Sequence, residues 1–390
     1  MMKAFPLVAA PPRVLHFITH LGLGGAERVA LTISRELRTT HDFAIYAAHG
    51  KVADAVGRSM RAELAELAIP LHFGTRVPMK AGGIFLAGIG AARAVARFQP
   101  NIIHLHTEIP EAAYAAMVVL NPQLAAIPLI RTIHNSVYWH HWPRLGGWCE
   151  KRMLRSHVAA VSGAALRGFE QHRAKSAAGG LPAPAVIIHN GVAESAPLTR
   201  DVRVPGPTIR LLFAGRFDEQ KGSDLLPQIL PLIRVVAGGE LTLYGAGRQQ
   251  ALLRALASSP PAGWTVRMHK PVADLPAKIS GYDLVIMPSR HEGLGLVAIE
   301  AMLAGVPIIA TDAPGLREVL PPDHPWIAPA GNAAGFAQAV QRAIEERPIW
   351  PEVTARAAAF ARQQFSLGQM CAGYRRLYAQ ALKKHDLPSP

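Results

Sequence analysis

Apolar side chains are distributed along this chain in two alternating rhythms. Short unbroken apolar runs, bounded by Gly, Pro, Asn or charged residues, give way to longer stretches in which apolar positions return every three or four residues. The first pattern predicts buried strands and the second amphipathic helices. Over residues 1–200, runs at 14–19, 43–48, 102–106, 129–133, 158–161 and 186–189 predict six strands. Between the first two, Ala26, Val29, Ile33 and Leu37 recur at helical spacing while Arg28, Arg35 and Arg38 occupy other faces. With Gly24 and Gly25 at the turn, this makes one strand–turn–helix unit whose backbone can approach a ligand closely.

Residues 193–208 are rich in Pro, Ser and Thr and follow neither rhythm, which places an interdomain linker there. A second alternating series follows, with strands predicted at 209–214, 240–244, 265–268, 283–287 and 306–311. Strands alternating with helices on this scale predict an α/β protein of two doubly wound domains. No internal repeat stands out beyond this shared architecture.

Composition narrows the picture. At 390 residues with 50% hydrophobic side chains, two cores of ordinary size are within reach and disorder is not expected. Two cysteines, Cys149 and Cys371, far apart and without C-x-x-C spacing, argue against a disulfide framework and for a reducing, cytoplasmic setting. The first twelve residues are too short and too soon interrupted by Pro11, Pro12 and Arg13 to read as a signal peptide. The longest uncharged stretch, 112–130, is broken by Asn121, Pro122, Gln123 and Pro128, so no membrane span is expected.

The net charge of +14 is uneven: residues 1–200 carry 21 Lys and Arg against 11 Asp and Glu, residues 201–390 carry 20 against 16. The first half is therefore the natural partner of something anionic. Over 83–98, Ile84, Leu86, Ile89 and Val95 combine with Arg93 and Arg97, near Arg76 and Lys80. That composition fits either a helix lying on a membrane surface or one packed on a sheet. Tyr138, Trp139, Trp142 and Trp148 likewise fit either a stacking platform for an acceptor or a buried aromatic cluster.

The densest chemistry lies in SRHEGLGLVAIEAMLAGVPIIATD, residues 289–312. A strand ends near Met287, a loop carries Glu292, Gly293 and Gly295, and a helix over 294–304 carries Glu300 and stops at Gly305 with Pro307 beyond. About 12 Å of helix axis separates the two carboxylates, room for a diphosphate held at the helix start. Glu300 is then placed to accept from ribose hydroxyls and Glu292 from those of a transferred sugar.

Together with GLGGAERVA (22–30), IIHLH (102–106), RTIHN (131–135), HNGV (189–192) and AGRFDEQKG (214–222), in that order, this segment resembles the signature of the retaining family 4 glycosyltransferases. The resemblance runs over nearly the whole chain. It implies the GT-B fold of two facing Rossmann-like domains: an acceptor-binding domain at 1–200, a nucleotide-sugar domain at 201–366, and a helix at 367–390 crossing back to the first domain.

It also implies roles. Arg216 and Lys221 resemble the basic pair that clamps the donor diphosphate, and His134 resembles the histidine facing the reacting sugar and the acceptor. With Glu292 these form the expected catalytic set. Donor binding is expected from Gly215, Arg216, Lys221, Lys270, Val272, Glu292, Gly293, Leu294, Gly295, Leu296 and Glu300, and acceptor binding from Gly24, Gly25, Glu27, Arg28 and His134. A second glycine pair, Gly245 and Gly247, either approaches the donor or only turns the chain. Two departures stand out: Asn135 replaces the Asp, Gly or Thr common after the histidine, and Lys270 takes the place of a glycine near the base, leaving UDP, GDP and ADP donors open.

No Asp has another Asp two positions on, so the usual metal-holding pair is missing and no metal or cofactor is expected; His104, His106, His140 and His141 lack the acidic or Cys partners of a metal site. The expected function is metal-independent retaining transfer from a nucleotide sugar to a glycan or lipid-linked acceptor in envelope or exopolysaccharide synthesis. The expected location is the cytoplasm, peripheral on the inner membrane face, with a membrane surface as a further partner and no nucleic acid. The alternatives are a sugar-nucleotide epimerase of the same fold, and a basic nucleic-acid-binding protein that the absence of aromatic RNA-binding motifs and zinc spacing disfavours.

Overall fold

The computed structural model describes residues 10–22, 24–50, 55–176, 181, 183–193, 206–272 and 274–383. Most of the linker expected at 193–208 lies outside them. Seven strands build a first sheet: β1 (Arg13–Ile18), β2 (Asp42–His49), β3 (Leu71–Thr75), β4 (Ile102–His106), β5 (Leu129–Ile133), β6 (His157–Ala160) and β7 (Val186–Ile187). All pair in parallel, in the order β3-β2-β1-β4-β5-β6-β7. Six more strands, β8 (Ile209–Arg216), β9 (Gly239–Ala246), β10 (Trp264–His269), β11 (Leu284–Met287), β12 (Ile308–Thr311) and β13 (Ile327–Ala328), form a second parallel sheet in the order β10-β9-β8-β11-β12-β13.

Both sheets therefore reverse their strand order at a central pair, β1/β4 and β8/β11. In doubly wound sheets the crevice beyond the carboxyl ends of such a pair is where ligands bind. The strands there are buried on both faces, as parallel strands covered by helices must be: every residue of β4, β5 and β11 is buried.

Two strands, β3 and β13, were not foreseen. β3 is an edge strand in which only Thr75 is buried, so LHFGT shows no apolar run, and β13 is two residues long. The helix expected to start at 294 begins at Leu296, because Gly295 before it takes a left-handed conformation (φ 85°) and Leu294 is buried in the loop instead.

The helix Leu367–Lys383 lies on the first sheet. Its Met370, Tyr374, Leu377, Tyr378 and Ala381 share one apolar cluster with Val14, Ile18, Ile33, Ile102 and Ile130. Tyr378 OH is 3.0 Å from His104 Nδ1 and Tyr374 OH 3.1 Å from Thr132 Oγ1, so the helix is also latched to β4 and β5 by buried polar contacts. Elements flanking the two sheets also touch. Glu318, beyond β12, accepts from the backbone N–H groups of Gly163 and Ala164 at 2.7 Å each, placing a carboxylate at the positive end of helix Gly163–Lys175.

Candidate functional site

The loops after β8 and β11 are locked to one another. Asp218 caps the short turn Glu219–Lys221 by accepting from Lys221 N at 3.1 Å, and Gly222 (φ 67°) then turns the chain past Pro288, whose carbonyl oxygen lies 1.9 Å from where a Cβ would stand. Arg290 grips Asp224 through two bonds of 2.7 Å, and its N–H donates to the Gln220 carbonyl at 2.8 Å. This fixes Lys221 against Glu292: Nζ lies 2.7 Å from Oε1 and 2.6 Å from Oε2. Glu292 is buried, and Ser289 Oγ donates to its Oε1 at 2.8 Å. The sequence reading gave these two residues separate duties; the structure pairs them. Arg216, half exposed, lies along Asp218 (3.1 Å) and Gln220 (2.7 Å).

Leu294, Gly295 and Leu296 carry the chain into helix Leu296–Leu303, and the start of that helix faces the first sheet: a Cβ on Gly25 would stand 3.4 Å from Leu296 Cδ1. Glu300, on the same helix, is half-buried. Burial pushes its carboxyl up to about 7, and Arg28 of the first sheet's opening helix pulls the other way. Arg28, expected on the acceptor side, thus acts across the cleft on a donor-side carboxylate. Glu27 is buried and folds back over its own helix start, its Oε2 lying 2.0 Å from where a Cβ on Gly24 would stand, so a side chain there would displace the Glu27 carboxylate. Burial raises its pKa, opposed by His20, by backbone N–H groups and by Arg216.

His134 follows β5. Gly293 packs so tightly on it that a Cβ would stand 1.7 Å from the His134 carbonyl oxygen, and Ser162 Oγ donates to the Gly293 carbonyl. The carboxyl ends of β5 and β11 are therefore in contact. Gly215, at the end of β8, has φ 153°, and its carbonyl oxygen stands 1.9 Å from where a Cβ on Gly245 would be. Gly247 packs on the Phe217 carbonyl in the same way (2.4 Å), so this glycine pair turns the chain tightly against the loop that carries Arg216. Lys270 is exposed and Val272 half-buried just past β10, at the sheet edge two strands from β8.

The aromatic cluster divides. Tyr138 and Trp139 are core residues: Tyr138 OH accepts from Arg131 at 2.9 Å, and Trp139 Nε1 donates to Glu111 at 3.1 Å. Trp142 and Trp148 are partly buried, and Trp142 shares a surface pocket of about 540 Å³ with Met79, Lys80 and Ile84. On helix Gly83–Phe98, Phe85, Leu86 and Ile89 are exposed while Val95, grouped with Leu86 and Ile89 in the sequence, is buried.

Sequence reasoning missed Glu108. It sits just past β4 at the switch point, with its pKa raised by burial and held back by backbone N–H groups, Asn135 and Arg216. The residue before it, Thr107, has φ 72°, a strained conformation for a β-branched side chain. The signal was a carboxylate directly after a buried strand. Also missed was His16, which joins His104 and His106 in a buried group where one ring nitrogen from each lies within 4.8 Å of the other two. In this group every ring nitrogen except His16 Nε2 already has a hydrogen-bond partner.

Comparison with known proteins agrees on the family. Residues 23–195 match the family described as Glycosyltransferase Family 4, and residues 208–346 match Glycosyl transferases group 1. A glycogen synthase of Mycobacterium tuberculosis is 28% identical over 299 residues, covering 73% of this chain and 68% of the relative. A D-inositol 3-phosphate glycosyltransferase of Arthrobacter is 30% identical over 196 residues, 47% of either chain. Among solved structures, Anabaena HepE in complex with UDP-glucose superposes with a TM-score of 0.76 at 20% identity, covering 94% of this chain and 99% of that one. Among the described residues no helix is long and apolar enough to cross a membrane.

Proposed function

This chain belongs to the family 4, group 1 glycosyltransferases of GT-B fold, and from that premise we propose that it transfers a sugar, with retention of anomeric configuration and without a metal ion, from a nucleotide-diphosphate sugar to a glycan or lipid-linked acceptor. The observation that carries this reading is the convergence of the Lys221–Glu292 pair, Arg216, the helix start at Leu296 and Glu300 beyond the carboxyl ends of β8 and β11, opposite His134 and Gly25. The diphosphate lies along Lys221, Arg216 and the helix N–H groups, Glu300 accepts from ribose, and Glu292 meets the sugar.

In the step itself the bond between the sugar's anomeric carbon and the phosphate oxygen breaks, and the acceptor oxygen bonds to that carbon on the same face. The acceptor proton passes to the departing phosphate, and a nucleoside diphosphate leaves. Fixed cations and N–H groups aimed at the developing charge supply the stabilisation. The lack of an Asp-x-Asp pair and the presence of these cations support independence from metal.

Work on cell-envelope or exopolysaccharide glycans at the inner face of the cytoplasmic membrane fits the basic first half. It also fits the exposed Phe85, Leu86 and Ile89 beside exposed Lys80, Arg93 and Arg97. Thermal shift against a panel of UDP, GDP and ADP sugars identifies the donor, since a ligand bound only by the folded chain raises the melting temperature. Transfer with that donor in the presence of EDTA, and NMR of the product's anomeric proton, test the rest. Loss of transfer restored by a divalent ion, or an inverted product, overturns the corresponding part.

A further inference from the structure

Three imidazoles on one face of the first sheet form a continuous line into the cleft. His16 on β1 and His106 on β4 are fully buried, and His134, two positions beyond Thr132 at the end of β5, is half-buried. His16 Nδ1 lies 2.8 Å from His106 Nε2, and His106 Nδ1 lies 3.0 Å from His134 Nε2. His104 packs against both buried rings, at centroid distances of 4.8 and 4.2 Å, and is itself pinned by Tyr378 OH at 3.0 Å and Thr132 Oγ1 at 2.7 Å. The line is thereby boxed in by β1, β4, β5 and the C-terminal helix.

Each link needs one N–H and one lone pair, which neutral rings carrying a single proton each can supply. Burial meets that requirement: it lowers His16 and His134 to about 3 and takes His104 and His106 well below the ordinary value. Only two directions of donation remain. If His134 donates to His106 and His106 to His16, then His16 Nε2 must carry an N–H, yet this atom is buried with no hydrogen-bond partner among the described residues. Buried N–H groups without an acceptor are rare because the donor loses its water and gains nothing. The opposite direction leaves only a lone pair there.

We propose that His16 and His106 are positioning residues which, by donating in sequence from Nδ1, hold His134 as its Nδ1–H tautomer, with Nε2 occupied as an acceptor. The proton so placed makes His134 a hydrogen-bond donor to a hydroxyl oxygen of the sugar it faces, which fixes that sugar's orientation for transfer. This catalytic consequence rests on the role of His134 given above; the tautomer itself does not.

The test is therefore spectroscopic first. In full-length protein with 15N-labelled imidazoles, long-range proton–nitrogen correlation distinguishes a protonated ring nitrogen from an unprotonated one, and His134→Gln assigns the His134 signals. The expected spectrum has Nδ1 protonated and Nε2 unprotonated in His134; the reverse pattern, or an even mixture, overturns the proposal. His106→Asn, whose amide nitrogen stands where imidazole Nδ1 stood, should keep the tautomer, and His106→Leu should release it. An unchanged His134 spectrum in a folded His106→Leu protein also overturns it. If the variants do not fold, the spectrum of the native chain still decides. If the tautomer is as expected but His106→Leu transfers sugar with unaltered kcat and KM, the relay stands and the role given to His134 fails.

Discussion

Lys221 and Glu292, 71 positions apart, hold each other through both carboxylate oxygens at 2.7 and 2.6 Å. The ammonium that would meet the donor diphosphate is therefore already fixed in place before any donor arrives, with its charge balanced by a buried carboxylate. Preorganised charge of this kind costs no reorientation at the moment of reaction. Lys221→Ala should lower kcat on the order of 10²-fold while the far-ultraviolet circular dichroism spectrum keeps its native shape, and Arg216→Ala and Glu300→Ala should each do likewise. Native turnover in all three would remove the diphosphate clamp from the mechanism.

Glu300 makes donor binding sensitive to pH. Its folded pKa of about 7 is above the ordinary 4.5, so the folded chain holds this proton more tightly than the unfolded one. Burial of its charge thus costs stability that is absent at low pH and fully expressed above about pH 7. Ribose hydroxyls donate to the ionised form, so donor binding should release a proton near neutrality and tighten from about pH 6 to about pH 8. Calorimetry in buffers of different ionisation enthalpy reads that proton, and Glu300→Gln should flatten the profile. A native profile already flat over this range would place the ribose elsewhere.

The features legible in the sequence were those set by neighbours along the chain. VLHFI, IIHLH and LIRTI are apolar runs because β1, β4 and β5 are covered on both faces, and the Gly293–Gly295 loop with its two glutamates is one local unit. β3 escaped notice because an edge strand with Gly74 and a half-exposed His72 has no reason to look apolar. The pairings that define the cleft join residues separated by 71 positions in Lys221–Glu292 and 90 in His16–His106, and only the sheet topology brings them together. Tyr138 and Trp139 remained ambiguous for the same reason: their buried partners, Arg131 and Glu111, lie on other elements.

Arg131 is fully buried, bonded to Glu111 at 2.9 Å, to Tyr138 OH at 2.9 Å and to both oxygens of Glu150, which Arg173 also reaches at 3.3 Å. This network anchors β5 just before His134. Removing one member of a buried charge network leaves its partners uncompensated, so Arg131→Met should cost about 3–5 kcal/mol in urea unfolding. Burial already pushes the Glu111 carboxyl up to about 7, and Arg131 is the main group holding it down. The loss should therefore grow as pH rises through neutrality, when the unpartnered carboxyl must ionise in the interior. A cost that does not change with pH would mean that Glu111 keeps another cation.

The contact between Gly293 and the His134 carbonyl offers a way to separate folding from alignment of the two lobes. A methyl group at Gly293 would stand 1.7 Å from that oxygen, a distance no real Cβ adopts, and the opposing atom is backbone that cannot swing aside. Each sheet has an apolar cluster of its own away from this point, while a further one, holding Ile133 and Leu294, runs between them, so the strain is relieved most cheaply by shifting the β11 loop from β5 at some loss of packing. Catalytic groups displaced by even about 1 Å can lose about 10²-fold in rate. Gly293→Ala should therefore fold with a lowered melting temperature, lose transfer by about that factor, and retain affinity for the free nucleoside diphosphate, which contacts one lobe alone. Native activity in this variant would show that the cleft tolerates separation of His134 from Glu292, and that the two do not act on the same sugar.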